Sequence, residues 1–267
     1  VAVSPGTLKI LEGSDPGRDA MNWDELIEEW RQEAQAEGFL VEELLERGGF
    51  PILACSKGGE DLPLIYLSSG VHGDEPAGPQ ALLSLLKSGF FDERFRWLIC
   101  PALNPTGLEA GTRETADGID LNRDYFTAEA AETCAHLGWL ERQGRPLLFL
   151  SLHEDWESTG FYYYEINTGV EAPAYEDLLA AVAPFFPPEP EEEIDEHPVT
   201  QPGWIFHPDH PDIPEGWPEA IYLSRQGCPL SLTFETPSSA SLAERIGCHE
   251  AAVRCAVEKL ASSAGLT

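Results

Sequence analysis

The sequence predicts an α/β protein built on a mixed sheet with helices on both faces. Short, nearly continuous apolar runs of the kind that form buried strands alternate with longer stretches of helical periodicity, and residues able to do chemistry gather where the apolar runs end. Asn22 and Glu25 form a capping pattern, and Trp23, Leu26 and Trp30 follow at helical spacing until Gly38. Strands are expected at 51–57 and 62–68, the second a run of Leu64, Ile65, Tyr66 and Leu67 suited to the middle of a sheet. The segment 76–87 opens on a proline at a first helical position and places Ala81, Leu82, Leu85 and Leu86 on one face, so a helix is expected. Further strands are expected at 96–102, 147–152, 161–166 and 230–234, and further helices near 127–142, 174–182 and 241–262.

A chain of 267 residues can bury a substantial core as one large domain or two small ones. No Gly/Ser-rich or Pro-rich linker divides it, and the candidate site draws on residues from 72 to 235, which favours one catalytic domain over 1–267. Within it, 1–50 reads as an N-terminal lead-in of helix and strand, and the acidic, proline-rich run 187–218 as a long surface loop. The 47 Asp and Glu against 16 Lys and Arg give a formal net charge of −31, which repels a polyphosphate backbone, so nucleic acid is not expected as a partner. No stretch of about 18 apolar residues is present to insert into a membrane, and 1–10 lacks the basic and apolar regions of a signal peptide. The expected location is cytoplasmic, or periplasmic if a leader has been removed ahead of Val1. The six cysteines have no Cys-x-x-Cys spacing and several sit in apolar runs, as buried free thiols do.

The chemistry centres on His72, Glu75, His153 and Glu235. His72 and Glu75 lie in Ser69-Gly-Val-His-Gly-Asp-Glu-Pro, between a strand and a helix start, where Gly70 and Gly73 permit a sharp reversal. His153 ends another apolar strand, at the edge where open α/β sheets place their ligands. Zinc accepts imidazole nitrogen and carboxylate oxygen, and a catalytic site takes three protein ligands and leaves one position to water. Either histidine alone would read as an ordinary loop residue, but two His and one Glu at the ends of two strands point to one Zn²⁺ held by His72, Glu75 and His153.

These pieces resemble the zinc carboxypeptidase family, the funnelins, in a compact bacterial form similar to murein peptide amidases. The matching stretches are Val71-His-Gly-Asp-Glu, Asn104-Pro-Thr-Gly with Arg113, Gly118-Ile-Asp-Leu-Asn-Arg, Ser151-Leu-His and Leu232-Thr-Phe-Glu, in the family's order. The resemblance implies an eight-stranded twisted sheet flanked by helices on both faces. It also implies that Asp120 accepts the second imidazole N–H of His72, which would set the ligand's tautomer and basicity. By the same resemblance Asn122 and Arg123 take a substrate's terminal carboxylate, and Arg113 stabilises the oxyanion of the scissile carbonyl. Outside that context Asp120 would be a turn residue and Arg123 a member of a surface ion pair. Glu235 is the candidate general base, a carboxylate at the end of the run Leu230, Leu232, Phe234 where partial desolvation would raise its pKa.

The function expected from this set is zinc-dependent hydrolysis of an amide bond next to a free carboxylate, by a carboxypeptidase or murein-peptide amidase, with a short peptide or cell-wall peptide as substrate. The alternative is an N-acyl amino acid deacylase of the aspartoacylase and succinylglutamate desuccinylase type, which shares the metal motif and Asp-Leu-Asn-Arg. Those relatives usually carry a further β-rich C-terminal domain, and only about thirty residues follow Glu235. A binding protein on the same fold would lack a ligand or the base, and none is missing. Arg225 could select an acidic side chain or lie on the surface, and His197, His207 and His210 read as rim or surface residues.

Overall fold

The computed structural model describes residues 22–263 together with 265 and 266, so the first part of the expected lead-in, 1–21, lies outside the described residues. The chain starts with α1 (Trp23–Ala36), where Asn22 Oδ1 accepts the Glu25 N–H at 3.3 Å. It continues through β1 (Leu40–Arg47), β2 (Phe50–Lys57), β3 (Leu64–Ser69), α2 (Ala77–Lys87), β4 (Arg96–Cys100) and α3 (Pro105–Ala110). After a 3₁₀ turn at Leu121–Arg123 come α4 (Ala131–Leu140), β5 (Leu148–Asp155), β6 (Tyr162–Asn167) and α5 (Tyr175–Val182). The remainder comprises β7 (Glu193–Ile194), β8 (His197–Pro198), β9 (Trp204–Phe206), α6 (Glu219–Arg225), β10 (Leu230–Pro237) and α7 (Leu242–Ser263).

Eight strands form one sheet in the order β1-β2-β4-β3-β5-β10-β6-β9. The central strands β4, β3, β5 and β10 are mutually parallel, whereas β1 pairs antiparallel with β2, β2 with β4, and β6 with β10, which makes the sheet mixed as expected. Period-2 alternation divides the strand side chains between two helix layers. Ile65, Leu67, Leu150, Leu232 and Phe234 pack with residues of α1, α2, α5 and α7 on one face. Leu64, Tyr66, Leu98 and Phe149 pack with Trp139 of α4 and Leu223 of α6 on the other.

Within the lead-in, Leu40–Arg47 is a strand although its Leu/Glu composition suits a helix; it is held at the sheet edge by a Gly48-Gly49 turn in which both residues have positive φ (62° and 93°). Two features depart from the sequence reading. Pro76 caps α2 and does not occupy its first turn. The run 187–218 contains the β7–β8 hairpin and β9, the latter paired parallel to β6 at the sheet's far edge. All six cysteines are free, and four of them are buried. No described helix is long and apolar enough to cross a membrane.

Candidate active site

The parallel strands β3, β5 and β10 are adjacent, so the segments leaving their carboxyl ends converge. His72 and Glu75 occupy the turn between β3 and α2. Gly70 there has φ +59°, a conformation side chains disfavour, and a Cβ on Gly73 would run into the backbone of Gly107 in α3. The turn therefore folds tightly against α3 and aims both side chains inward. His153 is part of β5, and Glu235 is its register partner in β10. Because apolar residues at 230, 232 and 234 face α1, α2 and α7, the intervening Ser231, Thr233 and Glu235 face the opposite side, as His153 does.

His72, Glu75 and His153 are buried and close enough to hold one metal ion. His72 Nδ1 lies 2.5 Å from Glu75 Oε1, His153 Nδ1 lies 3.0 Å from Glu75 Oε2, and the two Nδ1 atoms are 3.3 Å apart. Tetrahedral bonds of about 2 Å put ligand atoms about 3.3 Å from one another, so the imidazole pair fits such an ion. Buried Glu75 Oε2 has no aligned hydrogen-bond donor among the described residues, as expected for an oxygen whose partner is a cation. Burial opposes ionisation of Glu75, but the charges of His72 and His153 outweigh it and hold the carboxyl at about 2.

Asp120 approaches the other side of His72, its Oδ1 lying 3.3 Å from Nε2 without the alignment of a hydrogen bond. Asp120 Oδ2 accepts from Arg113 Nε at 3.0 Å, and Oδ1 accepts from the Asn122 N–H at 2.9 Å. Arg113 thereby stands beside the triad, with Nη1 3.9 Å from Glu75 Oε1. Asn122 Oδ1 accepts the Glu219 N–H at the start of α6 at 3.0 Å, which leaves the Asn122 amide N–H groups as the donors toward the cleft. Arg123 is exposed, and among the described residues no carboxylate lies within ion-pair distance of it despite the acidic composition. Burial, reinforced by Glu75, Asp155 and Asp195, pushes Glu235 well above the usual carboxylate range.

A cleft of about 710 Å³ is lined by His72, Arg113, Asn122, Arg123, His153 and Glu235, so all of the sequence-selected groups except Asp120 border one space. Its volume is that of a small-molecule site. Ile166, Ala220, Ser231 and Thr233 form a neutral part of the lining. Arg225 does not line it and lies 3.9 Å from Asp209 on the surface.

A second group of metal-capable side chains lies on the wall of this cleft: His197, His207 and Asp212. His207 is buried on this wall, and it groups with His197 and Asp212. The sequence signal was weak, because the three come from separate segments of a proline-rich run. Glu219 was also missed. It is buried beneath the site, with Tyr66 and Ser68 hydroxyls donating to it at 2.7 and 2.8 Å.

A family model described as the succinylglutamate desuccinylase/aspartoacylase catalytic domain matches residues 61–170. A candidate metallopeptidase from Shewanella amazonensis superposes with a TM-score of 0.79 at 27% identity, covering 90% of this chain and 94% of that one. A metallo-carboxypeptidase from Burkholderia cenocepacia shares the fold at a TM-score of 0.65 and 16% identity, over 90% of this chain and 69% of its own. Carboxypeptidase 2 of Trichophyton tonsurans is 29% identical over 153 residues, which take in 49% of this chain and 28% of that relative's length. The chain thus has a zinc-peptidase-like fold and a site of the amidohydrolase and peptidase type. The family model points to the deacylase branch and not specifically to the funnelins.

Proposed function

We propose that the chain is a zinc-dependent amidohydrolase that releases an amino acid from an N-acyl group, cutting the amide bond next to the amino acid's free carboxylate. The observation that carries this reading is the placement of Glu235 across from His153, with Arg113, Asn122 and Arg123 on the same cleft.

His72, Glu75 and His153 would hold the ion, and a site of two imidazoles and one carboxylate suits Zn²⁺. Bound there, it would polarise the scissile carbonyl and acidify the attacking water. Glu235 takes the proton of that water as its oxygen bonds to the carbonyl carbon, then delivers it to the amide nitrogen as the C–N bond breaks. Arg113 donates to the carbonyl oxygen as negative charge develops there. Arg123 and the Asn122 amide hold the carboxylate of the leaving amino acid, and Asp120 keeps His72 oriented.

The deacylase form of this reaction, on a small N-acyl amino acid, is supported by the family model, whose matched residues include His72, Glu75, Arg113, Asn122, Arg123 and His153. The peptidase form, on a short or cell-wall peptide, is supported by the near full-length likeness to the Shewanella protein and by acidic Asp155, Glu157, Asp195 and Glu196 on the cleft wall, which disfavour an acidic acyl group. Mass spectrometry of products from N-acetylaspartate, N-succinylglutamate and short peptides separates the two. Release of acetate or succinate supports the deacylase, and loss of a C-terminal residue supports the peptidase. Silence of the zinc-loaded protein on all three classes would count against both.

A further inference from the structure

His197 lies in β8, His207 immediately after β9, and Asp212 in the loop that leads to α6. Folding brings them to one point: His197 Nε2 and His207 Nε2 lie 3.2 and 3.3 Å from the same oxygen, Asp212 Oδ2. The two rings are 4.6 Å apart, and Tyr164 packs edge-on against both at 6.1 Å. The Tyr164 hydroxyl in turn donates to Asp195 Oδ2 at 2.9 Å.

The hydrogen bonding of His207 limits what the cluster can be. Its Nδ1 is 2.7 Å from the Pro208 carbonyl, which can only accept, so Nδ1 carries the proton. In the neutral ring Nε2 is then a lone pair pointing at a carboxylate, an arrangement that requires a cation between them or a second proton on the ring. A backbone carbonyl behind a histidine is the usual support of an imidazole ligand. The separations of 3.2 and 3.3 Å match the about 3.3 Å between ligands of a tetrahedral ion with bonds of about 2 Å. Asp195 and Glu196 add negative charge on the same wall. They form the turn between β7 and β8, and both have positive φ (50° and 65°) although neither is glycine.

We propose that His197, His207 and Asp212 form a second divalent-cation site, for zinc or a similar borderline ion, on the wall of the catalytic cleft. Imidazole and carboxylate together favour such ions over Mg²⁺ or Ca²⁺. The ion ties the β7–β8 hairpin and the segment after β9 to the loop running from Asp212 into α6, whose first N–H holds Asn122 Oδ1. Three protein ligands would leave one position of a tetrahedral ion for a further ligand. The inference is independent of the reaction assigned above, because it concerns binding alone.

The test is zinc stoichiometry of the full chain, stripped of metal and then equilibrated with Zn²⁺ in physiological salt and excess Mg²⁺ to suppress loose binding to the acidic surface. Wild type should retain two equivalents. His197→Gln and Asp212→Asn should each lose one and keep the other, while His153→Ala loses the other and keeps this one. Asp212 is exposed, so its variant should fold whatever the outcome. Retention of only one ion, lost in His153→Ala and unaffected by Asp212→Asn, would overturn the proposal, as would a second ion indifferent to both rim variants. A single ion lost with Asp212→Asn and kept in His153→Ala would support the rim site and contradict the first.

Discussion

Glu235 and His153 are register partners in the parallel ladder between β10 and β5. Paired positions in neighbouring strands present their side chains on the same face, so a carboxylate and an imidazole contributed 82 positions apart share one side of the sheet. A shift of β10 by one residue would turn Glu235 toward the helix layer of α1, α2 and α7 and bring Phe234 to the cleft. The apolar contacts of Leu232 and Phe234 on that layer fix the register, and thereby place the candidate base.

Asp120→Ala should weaken zinc binding about 10–100-fold, the usual effect of losing the group behind a metal-bound histidine, without abolishing the site. Calorimetric titration of metal-free protein reads it directly. An unchanged affinity would show that the 3.3 Å approach to His72 carries no weight.

Gly73→Ala should lower both stability and zinc affinity, because the added Cβ meets the backbone of Gly107, which has no flexible end to move aside. Overpacking of this kind costs about 1–3 kcal/mol. Denaturant unfolding and a zinc titration on the same sample check the two effects together.

Arg123→Ala should raise KM for a carboxylate-bearing substrate about 30–100-fold, the equivalent of about 2–3 kcal/mol for a lost charged hydrogen-bond pair. Arg123→Lys should recover only part of this, since an ammonium cannot make the two parallel bonds of a guanidinium. The same substrate with its carboxylate amidated should bind both forms alike.

Glu219 gives a pH dependence of stability. Burial raises its carboxyl from 4.5 to about 7, so the folded state holds the proton more tightly than the unfolded chain does. Below about 4.5 both states are protonated and the group imposes no penalty. As pH rises through 4.5 to about 7 the unfolded state ionises first and stability falls, by up to about 3 kcal/mol, then levels off. Glu219→Gln should remove that slope while other groups keep theirs, so the difference between the two unfolding curves across pH 4–8 is the measurement.

The sequence made the central strands and the triad legible for the same reason: Leu150-Ser-Leu-His and Leu232-Thr-Phe-Glu alternate apolar residues for one face with polar ones for the cleft, and end on the reactive side chain. Edge elements obeyed no such rule. Leu40–Arg47 is a strand with helix-forming composition, and only the Gly48-Gly49 pair marked its hairpin. The stretch 187–218 lacked periodicity altogether, and its β9 pairs with β6 through tertiary contact that no local pattern encodes. His197, His207 and Asp212 converge for that reason and not by spacing. Glu219, at the first position of a short helix, carries no local pattern that marks it as buried; its partners Tyr66 and Ser68 lie about 150 residues earlier in the chain.

The most direct measurement is the single-turnover rate of wild type and Glu235→Gln, each metal-stripped and each reloaded with zinc, on whichever N-acyl amino acid or short peptide wild type cleaves. The account predicts turnover only in reloaded wild type, with Glu235→Gln keeping its zinc at His72, Glu75 and His153 while its rate falls by about 10³-fold or more. Turnover by Glu235→Gln within about tenfold of wild type, or turnover that survives removal of the metal, would contradict it.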